Sequence, residues 1–250
     1  MENDTYRPTD RTQKMIKIKQ YYLDKYEKKE KDFFDNYHRE KPIVRSSRLI
    51  AFPTIAKVFV PPENALGFGK APSGGELIEN LVIPNRITEV FPQSFFYLIT
   101  LENFIVEDDH PLFCTIDGVL FSKDKKRLIA FPAGRVDNQY FVPNGTEIIG
   151  ENAFEHCKIM EVVLPPSIKR IEPDAFARSW LHICDMSKMS VNKIGARCFQ
   201  GCSKVYVIRK GKIQMEDIYT EQGNWGYNHC FFVEPDKLEE IRASFFADSE

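Results

Sequence analysis

The sequence predicts a repeat solenoid of the α+β class, in which stacked β-rich coils carry an inserted β-hairpin, an N-terminal helix and a C-terminal capping helix. Three observations predict this fold class. A phenylalanine with flanking aliphatic residues occurs in four similar segments, the last three of which follow one another at a period of 22 to 23 residues. In addition, a six-residue string occurs twice, and the apolar residues adopt helical spacing near both termini.

Four segments of the chain share the repeated pattern. In each segment an anchor residue precedes a phenylalanine by eleven positions, and mostly aliphatic residues stand three and six positions after the anchor. The anchors are Pro84, Pro143, Pro165 and Lys188, and the phenylalanines are Phe95, Phe154, Phe176 and Phe199. A single coil cannot bury its own apolar edge, so coils stack with like residues over like residues. We therefore expect the four rings to form one continuous apolar column.

Short β-rich segments stand immediately before the proline anchors. They are Leu81–Ile83, Tyr140–Val142 and Val162–Leu164. β-branched and aromatic residues favour strands, and a following proline ends a strand because it lacks the backbone N–H. We expect these segments to pair with one another from coil to coil.

The period is interrupted between about residues 106 and 139, where the pattern predicts a hairpin. Alternating residues flank the polar turn Lys123–Lys126. The string Arg-Leu-Ile-Ala-Phe-Pro at 127–132 also occurs at 48–53, which is 79 positions earlier. We interpret residues 46–80 as a degenerate first unit of the solenoid. Its predicted loop contains Gly67, Gly69, Gly74 and Gly75.

Residues 141–157, which read FVPNGTEIIGENAFEHC, and the next copy from Val162 to Ile171 resemble the BspA-type leucine-rich repeat. The segment IDGVLFSKDKKRLIAFPAG, residues 116–134, is similar to a hairpin that this family interposes between coils and places beside the solenoid. The resemblance implies a solenoid over residues 46–233. It also implies a bacterial protein that binds host or partner proteins, often at the cell surface.

The N-terminal segment, residues 1–45, predicts a basic amphipathic helix ended by Pro42. Its apolar positions are Met15, Ile18, Tyr22, Tyr26, Phe33 and Tyr37. Residues 11–41 hold ten Lys and Arg against six Asp and Glu, a local charge of +4, while the remaining residues hold 24 against 30. We expect the apolar stripe to dock on the solenoid or on a second copy of it. The alternative is an arm that binds nucleic acid or a membrane surface.

The C-terminal residues 234–250 predict a short capping helix after a last strand at Phe231–Val233. Pro235 suits a helix start, and Leu238, Ile241 and Phe245 recur at the spacing of one helix face. The helix is expected to cover the last coil.

The six cysteines allow a disulfide framework or a zinc site, but the repeat favours reduced thiols. Cys157 and Cys202 occupy one repeat position, and Cys198 stands where other copies have a small residue before the phenylalanine, as expected of core fillers. The zinc alternative would use His182, Cys184, Cys198 and Cys202, whose spacing is not that of a standard zinc knuckle. We therefore expect neither a metal nor a cofactor.

The chain lacks the motifs of a phosphate-binding loop, an EF-hand, a nucleophile elbow or a zinc protease. Glycine and asparagine surround Trp225 and Tyr227, so these two aromatic residues are the candidate partner-binding residues, with sealing of the last coil as the alternative. A net charge of −2 argues against a protein whose whole surface binds nucleic acid.

The function expected from these features is a non-enzymatic protein-protein interaction module that presents an extended solenoid surface to a protein partner. The sequence contains no run of eighteen apolar residues, so it predicts no transmembrane helix. The polar N-terminus has no apolar core of a secretory signal, which favours the cytosol, whereas the family resemblance implies secretion or a cell-surface location.

Overall fold

The computed structural model describes residues 41–54, 56–189, 194–210 and 230–246. The strands of the first half are β1 (Ile43–Arg45), β2 (Arg48–Ala51), β3 (Val58–Phe59), β4 (Gly67–Ser73), β5 (Asn80–Ile83), β6 (Asn103–Val106), β7 (Phe113–Ile116) and β8 (Val119–Ser122). Those of the second half are β9 (Arg127–Ala130), β10 (Gln139–Phe141), β11 (Ile148–Ile149), β12 (Glu161–Val163), β13 (Arg170–Ile171), β14 (Ile183–Asp185), β15 (Val205–Ile208) and β16 (Cys230–Val233).

The strands stack into a β-solenoid of about seven turns. In the second half, β10, β12, β14, β15 and β16 form one parallel five-stranded sheet in that order. Gln139 stands opposite Glu161, and Glu161 stands opposite Ile183, so the register between neighbouring strands equals the sequence period. Each coil therefore contributes one rung to the ladder, at a strand spacing of about 4.8 Å.

A second ladder runs along another side of the same coils. β9, β11 and β13 pair in parallel, and a bridge from Ile171 to Ile194 extends the ladder by one coil. The side chains between the two ladders form an apolar core that contains Phe154, Phe176 and Leu164. The repeated aliphatic and aromatic positions of the sequence are thus the inward positions of the coils.

The first half repeats this arrangement with its own core. β3, β5 and β6 form a parallel sheet, and β1, β2 and β4 form a mixed sheet. The predicted glycine loop is partly wrong, because Gly67 and Gly69 lie in β4. A Cβ at Gly67 would stand 2.8 Å from the Cβ of Glu89, so glycine permits the close parallel bridge between these two residues. Only Gly74 and Gly75, both with positive φ, lie in the turn that follows.

The predicted hairpin is present, with β8 and β9 antiparallel around residues 123–126. β7 also pairs with β8 in antiparallel orientation, so the insertion has three strands. The expectation that it lies beside the solenoid is wrong in one respect. β9 pairs in parallel with β11, so the last strand of the insertion is the first rung of the second ladder.

The expected single column of phenylalanine rings is also wrong. Phe154 stacks on Phe176 at a centroid distance of 5.0 Å, and Phe176 stacks on Phe199 at 5.5 Å. Phe95 instead contacts Phe68 and Phe104 in the core of the first half. Two columns therefore exist, because the inserted hairpin separates the coil of Phe95 from the coil of Phe154.

The duplicated six-residue string begins each column. Phe52, from the first copy, stacks on Phe68 with a centroid distance of 6.0 Å. Phe131, from the second copy, stacks on Phe154 with a distance of 5.1 Å. In both copies the string forms a strand that pairs with an antiparallel neighbour before it and with a parallel one after it. The string therefore marks the change from hairpin to coil in both halves.

The sixteen strands of the described residues belong to one compact unit. Helix α1 (Leu238–Phe246) belongs to a second compact unit and follows a 3₁₀ turn at Pro235–Lys237. The predicted C-terminal helix is therefore confirmed, while its capping role stays a prediction. The predicted N-terminal helix lies outside the described residues.

His110 is a buried titratable residue of the first half. The residue is fully buried, and its Nε2 lies 3.0 Å from the carbonyl oxygen of Ile87. Its Nδ1 accepts hydrogen bonds from the backbone N–H groups of Leu112 and Phe113, at 3.1 Å each. This arrangement requires an unprotonated Nδ1. Burial is the main cause that lowers the pKa of His110, and the carbonyl of Ile87 opposes it.

We expect the protein to lose stability as the pH falls below about 6.5, because the unfolded chain then binds a proton that folded His110 does not. Of the neighbouring charges, Lys123 lowers and Glu107 raises the pKa of His110. The measurement is the melting temperature between about pH 7.5 and pH 5.5 for the wild type and for His110→Gln, which keeps an acceptor but does not titrate. Equal losses in the two proteins would contradict the prediction.

Candidate protein-interaction surface

The outward side of the sheet β3-β5-β6 is the candidate site. Phe59, Leu81 and Phe104 stand opposite one another and are buried in the core. Because successive strand residues point to opposite faces, the residues on either side of these three point outward. We call this set the strand face, and it consists of Val58, Val60, Asn80, Val82, Asn103 and Ile105.

The strand face has an apolar row and a mixed row. In the apolar row Val82 stands opposite Ile105, and Val60 follows the β3–β5 register. Val60 is 53% exposed and Ile105 is 45% exposed. In the mixed row the Asn103 side-chain amide donates to Oδ1 of Asn80 at 3.1 Å, beside the exposed Val58. The face thus offers contiguous apolar area next to amide groups that can bond to a peptide backbone.

Carboxylates border the face where β3 and β6 end. We call Glu63, Glu107, Asp108 and Asp109 the acidic rim; all four are exposed. Asn85 orients two of them, since its backbone N–H donates to Glu107 at 2.8 Å and its side-chain amide donates to Asp109 at 2.6 Å. The hydrogen bond from Asn85 is the main cause that lowers the pKa of Asp109. Asn85 therefore holds two of the four carboxylates of the rim in place.

The corresponding outward positions of the second half differ sharply. Phe141 on β10 is 63% exposed, but Glu161 on β12 and Ile183 on β14 are each only 1% exposed. Within the described residues, the exposed apolar side chains of the parallel sheets lie on the strand face, at Phe141 on β10, and at Phe231 and Phe232 on β16, which are 46% and 45% exposed. In the strand face they come from more than one coil.

The predicted partner-binding residues Trp225 and Tyr227 lie outside the described residues, so their role stays a prediction. Sequence reasoning missed the strand face. The available signal was the run Asn80-Leu81-Val82-Ile83, in which an apolar residue occupies an outward position as well as the inward ones.

The cysteines are placed as the repeat predicts. Cys157, Cys184, Cys198 and Cys202 are buried in the core of the second half. Burial raises the pKa of the Cys157 and Cys198 thiols, which disfavours their thiolate forms. His182 belongs to the alternative zinc site, but its Nδ1 lies 3.1 Å from the carbonyl oxygen of Lys204. Across the described parts of the chain, no three potential ligands lie close enough to hold a metal ion.

Among the helices that the structure describes, none has the length and apolar character needed to cross a membrane.

Comparison with known families identifies the repeats. Residues 136–250 match the model of the BspA type leucine rich repeat region, with six copies. The match covers the second half of the solenoid, where the sequence period is most regular. It does not extend to the strand face. A comparison with curated proteins gave no match.

Several solved bacterial structures are similar to the chain. A leucine-rich repeat protein from Eubacterium ventriosum shares 17% identity over 62% of this chain and 42% of its own, with a TM-score of 0.53. A leucine rich cell surface protein from Faecalibacterium prausnitzii shares 23% identity over 59% of this chain and 40% of its own, with a TM-score of 0.49. The first likeness shows a shared fold, and the chain spans less than half the length of either protein.

Proposed function

We propose that this chain, whose residues 136–250 are a BspA-type leucine-rich repeat region, is a non-enzymatic module that binds a protein partner through the strand face. The observation that carries the proposal is the apolar row on three successive coils, in which the half-buried Val82 lies between the exposed Val60 and Ile105. Contiguous apolar area on an ordered sheet is typical of an interaction site, whereas single exposed apolar residues are ordinary.

The structure of the strand face supports protein binding rather than catalysis. Backbone ladder hydrogen bonds fix the spacing of the three strands, and Phe59, Leu81 and Phe104 anchor them from inside. A partner would therefore meet a surface that is already ordered, which reduces the entropic cost of association. The side chains of the face are aliphatic or amide groups, which supply no nucleophile or general base at neutral pH.

Three expectations from the sequence stay predictions. The alternative of nucleic-acid or membrane association concerns residues 11–41, outside the described residues, and steep weakening of binding with salt would favour it. The sequence and the fold do not specify which protein the partner is. The location of the protein, in the cytosol or at the cell surface, also stays a prediction.

The experiment compares capture of proteins by the immobilised full chain and by the double variant Val60→Ser and Ile105→Ser. We expect proteins retained by the wild type to be lost by this variant, because both changes remove apolar area from the strand face. The matched control is Leu66→Ser. Leu66 is 49% exposed, close to the exposure of Ile105, but it precedes β4 on the other sheet of the first half.

The result that would contradict the proposal is equal capture by the wild type and the double variant, or loss of capture in the Leu66→Ser control as well. Circular dichroism of each variant checks that the coils remain folded. Because the changed side chains point outward, the substitutions are expected to shift stability by no more than about 0.5 kcal/mol each.

A further inference from the structure

We infer that the partner of the strand face presents apolar side chains that are flanked on one side by lysine or arginine. The inference rests on the proposed function, and it adds the chemistry of the partner. It is carried by the juxtaposition of the apolar row with the acidic rim at the carboxyl ends of β3 and β6.

The charges near the rim do not cancel. Glu63, Glu107, Asp108 and Asp109 face two neighbouring cations, Arg86 and Lys123, which leaves a net charge of −2. Arg86 is partly covered, with one guanidinium nitrogen donating to the carbonyl oxygen of Pro61 and another 3.7 Å from the exposed Glu63. Lys123 donates to the backbone carbonyl oxygen of Asp108 at 2.8 Å rather than to its carboxylate.

The opposite border of the face carries a smaller net charge. Lys57 and Glu79, which precede β3 and β5, form an ion pair at 3.3 Å, and Glu102, which precedes β6, adds one carboxylate. The larger excess of negative charge therefore lies at the acidic rim. This asymmetry favours a cationic ligand in one orientation, because complementary charges at a rim direct association and set register.

An acidic partner is disfavoured by the same geometry. It would bring carboxylates or phosphates next to Glu107 and Asp109, whose positions are held by Asn85 and which cannot easily turn away. Like charges placed against each other weaken a complex, and exposed pairs are screened by salt. A purely apolar partner would fill the row of Val60, Val82 and Ile105 but leave the rim without a partner.

The probes are two synthetic peptides of equal length, one with a block of leucines followed by lysines and the other with the same block followed by glutamates. Their affinities for the full chain are measured by fluorescence anisotropy. We expect the lysine peptide to bind about tenfold more tightly at low salt, as electrostatic complementarity at an exposed rim allows. The difference should largely disappear at about 1 M salt, where the Debye length is about 3 Å.

Two double variants test the origin of the preference. Glu63→Gln with Asp108→Asn should reduce the preference, because it neutralises part of the rim without changing the shape of the side chains. The matched control, Glu234→Gln with Asp236→Asn, removes the same charge from two exposed residues that follow β16, and it should keep the preference.

The outcomes separate this inference from the proposed function. If Val60→Ser with Ile105→Ser weakens both peptides but rim neutralisation leaves the preference unchanged, the face binds and the basic partner is refuted. If neither peptide responds to the face variant, the inference and the use of the face for binding both fail. If the full chain instead forms a dimer in analytical ultracentrifugation that the rim variant dissociates, the occupant is a second copy, which overturns the assignment to a separate partner.

Discussion

Replacing Phe176 with alanine is expected to lower the free energy of unfolding by about 3–5 kcal/mol, the usual cost of removing a buried aromatic side chain. Phe176 is fully buried in the middle of its column. Its ring stacks on Phe154 and on Phe199, with interplanar angles of 21° and 11°. The substitution therefore opens a cavity between two coils, and stacking on both sides is lost together.

The measurement is urea-induced unfolding followed by circular dichroism. The matched control is Phe141→Ala, which removes the same side chain from a residue that is 63% exposed. This control should lower the free energy of unfolding by no more than about 1 kcal/mol, because the exposed ring of Phe141 buries little apolar area. A similar loss for the two variants would show that the column at Phe176 does not hold the coils together.

Replacing Gly134 with alanine is expected to destabilise the junction between the two halves of the solenoid by at least about 1–3 kcal/mol, the usual cost of overpacking. A Cβ at this position would overlap the backbone carbonyl group of Thr100. The N–H of Gly134 also donates to the carbonyl oxygen of Leu101 at 2.7 Å. Backbone cannot move aside as a flexible side chain can, so the second half must shift away from the first.

Hydrogen exchange measures this effect locally. In Gly134→Ala we expect faster exchange in β5 and β6, which belong to the first half of the solenoid and lie across the junction from the second half. Gly145→Ala is the control. It has a positive φ of 91° but no heavy atom within 4 Å of the added Cβ, so it strains only its own turn. Unchanged exchange at β5 and β6 in Gly134→Ala would contradict the close contact of the two halves.

Much of the solenoid was predictable because its information is periodic and local. The spacing from Pro143 to Phe154 and from Pro165 to Phe176 recurs, and the structure places these coils in register. The turn at residues 123–126 was predictable from its flanking alternation. Pro235 and the apolar spacing after it predicted the C-terminal helix.

Other features could not be predicted because they depend on which segments become neighbours. The family resemblance placed the hairpin beside the solenoid, whereas pairing of β9 with β11 makes it part of the ladder. The glycines at 67 and 69 have the composition of a loop, but close approach of Glu89 and Leu49 makes them strand residues. Burial of His110 depends on the backbone of Ile87, which lies 23 positions away.

The amino-acid sequence by itself determined that the chain forms stacked β-rich coils, since an apolar residue at a fixed phase can be buried only by its equivalent in the next coil. Only the tertiary structure decided which rings stack. The insertion between Phe95 and Phe154 places these two rings in different columns. Only the tertiary structure decided the candidate site as well, because Val82 and Val163 read alike in sequence and differ in burial. Exposure depends on what covers a side chain, and that is a property of distant chain segments rather than of local pattern.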